Sequence, residues 1–81
     1  MSSETAVDGP VTEIIETALG VDADAFDDDT AFGASGLDVD SITIVEIAEM
    51  VDIELGVHVP NEDLGDLETV GDLKAYVREH R

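Results

Sequence analysis

The 81-residue chain carries 21 Asp+Glu against three Lys+Arg, a formal net charge of −18 at pH 7, and it has no cysteine. A chain this short forms one domain and buries only about 60% of the surface its unfolded form exposes, so its core is marginal and leaves no room for a deep catalytic cleft. The charge argues against nucleic acid and anionic membranes as partners and favours surfaces with basic patches. A salt-adapted proteome, or plain solubility, would also select for acidity. The lack of cysteine excludes disulfides, thiolate catalysis and cysteine–zinc sites. Met1-Ser2-Ser3-Glu4 has no basic region followed by an apolar run, so no signal peptide is expected. No apolar stretch reaches membrane-spanning length, and the expected location is the cytoplasm.

Residues 1–9 are polar and small and read as a flexible tail, with the folded domain over residues 10–81. Pro10 suits the first position of a helix, where its missing N–H is no loss. Val11, Ile14, Ile15, Ala18 and Leu19 follow at helical spacing on one face, and Gly20 reads as the stop. Residues 21–39 form a connection too long to be empty. Ala23 to Phe26 suit a short turn, and Val21, Phe26, Phe32 and Leu37 are the residues to pin the loop to the core. Gly33 and Gly36 supply turns before residue 41.

A second helix is expected over residues 41–55. At about 100° per residue, Ile44, Ile47, Ala48, Met50, Val51 and Leu55 share a core-facing arc. Ile42, Glu46, Glu49 and Ile53 lie roughly opposite, with Val45 at the border. Gly56 ends this helix, Val57 and Val59 alternate around His58 like a short extended piece, and Pro60 prevents helix there. Asn61 suits the cap of a brief third helix over residues 62–64 or a little beyond. Thr69, with Asp72 three residues on, resembles a capping box for a last helix whose apolar face is Val70, Leu73, Tyr76 and Val77. Arg78, His80 and Arg81 complement the dipole at its end. No strand and no repeat is evident. The expected fold is all-α, a small up-down four-helix bundle with a long first loop and a short third helix.

The chemistry concentrates at Gly36-Leu37-Asp38-Val39-Asp40-Ser41-Ile42. Asp40 is a good N-cap, so Ser41 falls at the first position of the second helix with its hydroxyl outward. No base lies near it in sequence, which makes it a poor nucleophile on its own and a good substrate for another enzyme. An anionic group on that oxygen would lie at the positive end of the helix dipole.

Asp40-Ser41-Ile42 at a helix start resembles the attachment motif of acyl carrier proteins. The resemblance runs from Pro10 to the C-terminus, through Thr30 and Phe32, Gly56-Val57-His58-Val59-Pro60, Glu62-Asp63-Leu64 and Thr69-Val70-Gly71-Asp72-Leu73. It is strongest for stand-alone carriers of actinobacterial fatty-acid and polyketide systems. Ile42 stands where leucine is commoner, Asn61 where an aspartate often follows the proline, and Ile53 where the family usually shows an acid. The resemblance implies covalent 4′-phosphopantetheine on Ser41, loaded by a phosphopantetheinyl transferase, whose terminal thiol holds the acyl chain as a thioester. It implies a non-catalytic monomer that visits ketosynthase, acyltransferase and other synthase enzymes through basic docking patches. Asp40, Ile42, Val45, Glu46, Glu49 and Ile53 would form the docking face, and Ile47, Val51, Val59, Leu64 and Val70 would line the space for the acyl chain.

Other readings are weaker. A peptidyl or aminoacyl carrier would share the cofactor but is generally less acidic. An unmodified helical adaptor would bind a basic partner through helix two. Asp22, Asp24, Asp27, Asp28 and Asp29 do not fit a calcium loop, because neither frame supplies the sixth-position glycine and twelfth-position glutamate together. They read as a solvated acidic loop, and no metal site is expected. His58 and His80 read as surface residues. Gly33-Ala34-Ser35-Gly36 misses the nucleophile-elbow spacing by one position.

Overall fold

The computed structural model describes the backbone of residues 3–80 and the side chains of residues 8–80. Four α-helices follow in the order α1 (Ser3–Leu19), α2 (Ser41–Leu55), α3 (Asn61–Leu64) and α4 (Val70–His80), with one 3-10 turn at Ala23–Ala25. The fold is the all-α four-helix bundle expected, with a long first connection. Among the described residues the β structure is limited to an isolated antiparallel bridge between Ala31 and Thr69. No described helix is long and apolar enough to cross a membrane.

The apolar spacing of the helices builds one core. Val11, Ile14 and Ile15 of α1, Ile47 and Val51 of α2, and Val70, Leu73 and Val77 of α4 are buried together. Each such side chain contributes about 1.5–3 kcal/mol on burial. Ile44, Met50 and Leu55 of the expected arc lie partly buried against them. α1 packs on both α2 and α4, and α3 packs on α2. No Cα of α2 lies within 8 Å of one in α4. Phe32, Val57 and Val59 from the connections, with Leu64 of α3, complete the core these helices share.

The start of α1 differs from expectation. The helix begins at Ser3 and contains Pro10, so residues 3–9, read as a tail, belong to α1. Met1 and Ser2 lie outside the described residues. A proline removes one intrahelical bond and crowds the preceding turn, but here the helix continues through it. Arg78 Nη1 of α4 reaches Asp8 Oδ1 at 3.4 Å and ties the segment before Pro10 to the bundle. Val7 also precedes Val11 by four residues and Ile14 by seven, a spacing that extends the helical pattern upstream.

Most helix ends follow their residues. Gly20 and Gly56 take left-handed φ of 67° and 70°, and their N–H groups donate to the Glu16 and Asp52 carbonyls at 2.8 and 2.9 Å. The Thr69–Asp72 capping box forms. The Asp72 N–H donates to Thr69 Oγ1 at 3.1 Å, and the Glu68 and Thr69 N–H groups donate to Asp72 Oδ2 at 3.0 and 3.2 Å. Like the start of α1, α3 departs from expectation, since Asn61 is inside the helix and Pro60 is the cap. Proline's fixed φ, here −63° with extended ψ, supplies the cap geometry without a side-chain bond, and the Pro60 carbonyl accepts from Asp63 and Leu64 N–H at 3.0 Å.

The long connection is fastened rather than loose. Residues 28–32, termed the strap here, lie along the start of α4. The Phe32 N–H donates to the Glu68 carbonyl at 2.9 Å, Val70 N–H to Thr30 at 3.0 Å and Gly71 N–H to Asp28 at 2.8 Å. Phe32 is buried, and Phe26 and Leu37 pack partly against the core, as their positions suggested, whereas Val21, expected with them, is half-buried outside that cluster. Gly36 serves close approach, since a Cβ there would overlap the Ala31 backbone. The left-handed turn residue is Asp38, at φ 53°, and neither Gly33 nor Gly36 has positive φ. Aspartate tolerates that region better than most side chains.

Candidate functional site

Ser41 is exposed and opens α2. Two structures fix its place. The first is its own cap. Asp40 is extended at φ −80°, its Oδ1 accepts the Thr43 N–H at 2.8 Å, and its carbonyl accepts the Ile44 N–H at 3.1 Å. The Thr43 N–H on its oxygen is the main reason that the Asp40 carboxyl is held below its ordinary pKa. The second is the loop before it. Leu37 N–H donates to the Ala31 carbonyl at 2.8 Å, Asp38 N–H to Gly33 at 2.8 Å and Val39 N–H to Phe32 at 2.7 Å. The residues approaching Ser41 are therefore bound to the strap, and the strap to α4.

A surface groove leads away from the serine, lined by Ser41, Ile42, Val45, Glu46 and Glu49. A second lies between α1 and α2, lined by Thr17, Ala18, Glu46, Glu49, Met50 and Ile53. Glu49 lines a third as well, with Val45, Asp52, His58 and Val59. The outer face of α2 is thus relief rather than a flat wall. Ile42 is 73% exposed and Ile53 83%, with Val45 at 39%. Asp40, Glu46 and Glu49 are exposed beside them. The structure brings all six expected docking residues onto solvent-exposed surface in and just before α2.

Ile47, Val51, Val59, Leu64 and Val70 are also brought together, as members of the buried cluster. They are packed core in this state of the protein. Ser35 is an exposed loop residue. His58 is on the surface, with Nδ1 3.5 Å from Asp52 Oδ2. His80 is exposed too, but its ring stacks on Tyr76 with centroids 3.9 Å apart. Among the described residues no group of three or more potential ligands is placed to hold a metal ion.

The acidic run 27–29 is more than a solvated loop. Asp27 Oδ1 accepts the Asp29 N–H at 2.9 Å and the Thr30 hydroxyl at 3.1 Å. Asp28 Oδ1 accepts from Lys74 Nζ at 2.7 Å. Sequence reasoning passed over Lys74, whose signal was its position between Val70 and Val77 on an apolar face. It also passed over the Tyr76 hydroxyl, which donates to Asp63 Oδ2 at 2.7 Å and joins α4 to α3. That bond, then burial and the negative charge of Asp63, push the Tyr76 hydroxyl above its ordinary pKa.

The small helical bundle thus presents Ser41 at the head of a helix whose outer face is apolar and acidic. Residues 10–77 match the family described as the phosphopantetheine attachment site. The meromycolate extension acyl carrier protein of Mycobacterium tuberculosis (strain ATCC 25618 / H37Rv) is 40% identical over 68 residues, 84% of this chain and 58% of the relative. The acyl carrier protein of Rhodococcus erythropolis is 41% identical over 66 residues, 82% of this chain and 71% of the relative. That of Lactobacillus acidophilus is 30% identical over 79 residues, 98% of both chains. The protein belongs to the acyl carrier protein family, whose attached group is phosphopantetheine. The chain spans 58% of the length of the mycobacterial relative.

Proposed function

We propose that this chain is an acyl carrier whose Ser41 hydroxyl receives 4′-phosphopantetheine from coenzyme A. The observation that carries the reading is the exposed serine at the first position of a helix capped by the residue before it. The residues present fit such a group. The serine is open to an enzyme, the groove beside it is part apolar, and the first-turn N–H groups favour an anionic phosphodiester. In the transfer, Ser41 Oγ bonds to the phosphorus of the pantetheine half of coenzyme A. The pyrophosphate bond breaks, adenosine 3′,5′-bisphosphate leaves, and the serine proton passes to a base of the transferase. Asp40 is committed to its cap and holds the helix start in place while this occurs. When bound, the group supplies a thiol that carries an acyl chain as a thioester.

The chain's own part is to present and to shield. The outer face of α2 offers Ile42, Val45 and Ile53 for apolar contact, and Asp40, Glu46 and Glu49 for basic patches on the transferase, ketosynthase and acyltransferase partners. Ile47, Val51, Val59, Leu64 and Val70 are the side chains that would part to admit an acyl chain. The bundle, with α1 from Ser3, works as a cytoplasmic monomer and performs no chemistry on its cargo. That cargo is an intermediate of fatty-acid or polyketide synthesis. The names of the relatives favour an acyl over a peptidyl cargo.

Incubation with coenzyme A and a phosphopantetheinyl transferase should add one cofactor mass, read by intact-mass spectrometry. Ser41→Ala should abolish the gain, and substitutions of Ser2, Ser3 or Ser35 should not. Full loading of Ser41→Ala would overturn the assignment, and no loading of the wild type would favour an unmodified adaptor.

A further inference from the structure

Lys74 is the one buried charged residue among the described residues. Its side chain is 9% exposed, while its partner Asp28 is 60% exposed. An ammonium withdrawn from water needs a close counter-charge, and Asp28 Oδ1 supplies it at 2.7 Å. Stability alone does not account for a lysine here. An ion pair with one partner largely in solvent adds little stability over an apolar side chain of similar volume, and the best-attested role of withdrawn charges is to fix register. Val70 and Val77, the core residues either side of it on α4, show that an apolar side chain suits this face.

The register in question is that of the strap on α4. Asp28 is joined to α4 twice, by its carboxylate to Lys74 and by its carbonyl to the Gly71 N–H at 2.8 Å. The approach there is close, since a Cβ on Gly71 would stand 2.9 Å from the Asp28 carbonyl oxygen. The hydrogen bonds then run onward. Thr30 and Phe32 bond to Val70 and Glu68, and the Ala31 and Phe32 carbonyls accept from Leu37 and Val39. Val39 is two residues from Ser41. A continuous path of short bonds therefore leads from Lys74 to the approach to the serine.

We propose that Lys74 and Asp28 are a positioning pair for the attachment site, locking the strap so that the residues before Ser41 are presented in one arrangement to the modifying enzyme. This rests on the reading of Ser41 as the attachment serine. It makes Lys74 act through the strap, from outside the docking face, so the pair should affect turnover rather than docking.

The test uses Lys74→Met, Asp28→Asn and Asp28→Glu in the full chain, with two readouts. One is steady-state loading by a phosphopantetheinyl transferase with the carrier varied. The other is amide hydrogen exchange at Leu37 and Val39. Lys74→Met and Asp28→Asn should lower kcat about tenfold, the effect of a modest misplacement of a reacting group, with KM for the carrier unchanged. Both should speed exchange at Leu37 and Val39 while the amides of Ile15 and Val51 keep their protection. Asp28→Glu, which retains the charge at an exposed position, should keep loading and protection near wild type. Asp28→Asn keeps the side chain's size but leaves the Lys74 ammonium without its counter-charge, so it serves if Lys74→Met fails to fold, with unchanged protection at Ile15 and Val51 showing that the bundle has survived. Wild-type kcat in both variants would overturn the proposal, even with a lowered melting temperature, because the pair would then be structural only. Failure of the wild type to load at Ser41 would instead sink the attachment reading itself.

Discussion

The two faces of α2 carry the same residue type to opposite fates. Ile47 is 0% exposed and Ile53 is 83% exposed, six positions apart in one helix. The inner isoleucine is explained by the core it helps to fill. The outer one fills nothing, and Ile42 at the other end of the same face is in the same position. Acids divide in a similar way. Asp8 and Asp28 meet Arg78 and Lys74, whereas the ion pairs among the described residues leave out Glu46 and Glu49. What folding requires of α2 is met on its inner face. The apolar and acidic surplus on its outer face supports a role in meeting partners.

Truncation should separate the faces most sharply. Ile47→Ala removes a fully buried side chain and should destabilise the fold by about 2–5 kcal/mol, which approaches the whole stability of so small a core. Ile53→Ala should change stability by no more than about 0.5 kcal/mol, yet slow transfer to partner enzymes. Urea unfolding followed by circular dichroism, beside loading kinetics, measures both. Equal losses of stability would erase the distinction.

Charge gives a smaller contrast. The net charge of −18 opposes compaction. The screening length falls from about 30 Å at 0.01 M ionic strength to about 10 Å at 0.1 M, so moderate salt should raise the melting temperature. Magnesium chloride should do so at lower concentration than sodium chloride. Reversing Glu46 and Glu49 to lysine should relieve the same repulsion and leave stability unchanged or higher, while transfer by basic partners weakens. A melting temperature flat or falling with salt would mean that repulsion is not limiting.

The smallest effects lie at the edges of the pH range. Asp40 is held below its ordinary pKa, so its stabilising contribution is present above the unfolded value of about 3.9 and disappears as pH falls through the lower folded value. Asp40→Asn keeps a capping side chain without that titration and should flatten this part of the acid limb. Tyr76 is held above its ordinary value, so its contribution is present below about pH 10 and lost as pH rises through the folded value. Tyr76→Phe should remove that alkaline component. Urea midpoints across pH for the two variants and wild type measure these terms.

Much of this was legible because the signals are local. The inner arc of α2, its Asp40 cap, its Gly56 stop and the Thr69–Asp72 box depend on residues within a turn or two of one another. What escaped reading involves residues far apart in the chain. The Lys74–Asp28 pair spans 46 positions and the strap ladder joins residues 28–32 to 68–71. Nothing local marks Asp28 apart from Asp27 and Asp29. Pro10 misled for the opposite reason. Its local rule favours a helix start, while the helix it lies in runs on to Ser3 and packs on α2 and α4. The exposed serine was legible from its cap, and its fastening through the strap was not.

The most direct measurement of the division within α2 is a titration of the isotope-labelled chain with a phosphopantetheinyl transferase, followed by amide NMR shifts. Shifts and broadening should concentrate at Ser41, Ile42, Val45, Glu46, Glu49 and Ile53, and should weaken with added salt. Perturbations centred on α1 or on the exposed side of α4, with the outer face of α2 silent, would contradict the assignment of that face to partner recognition.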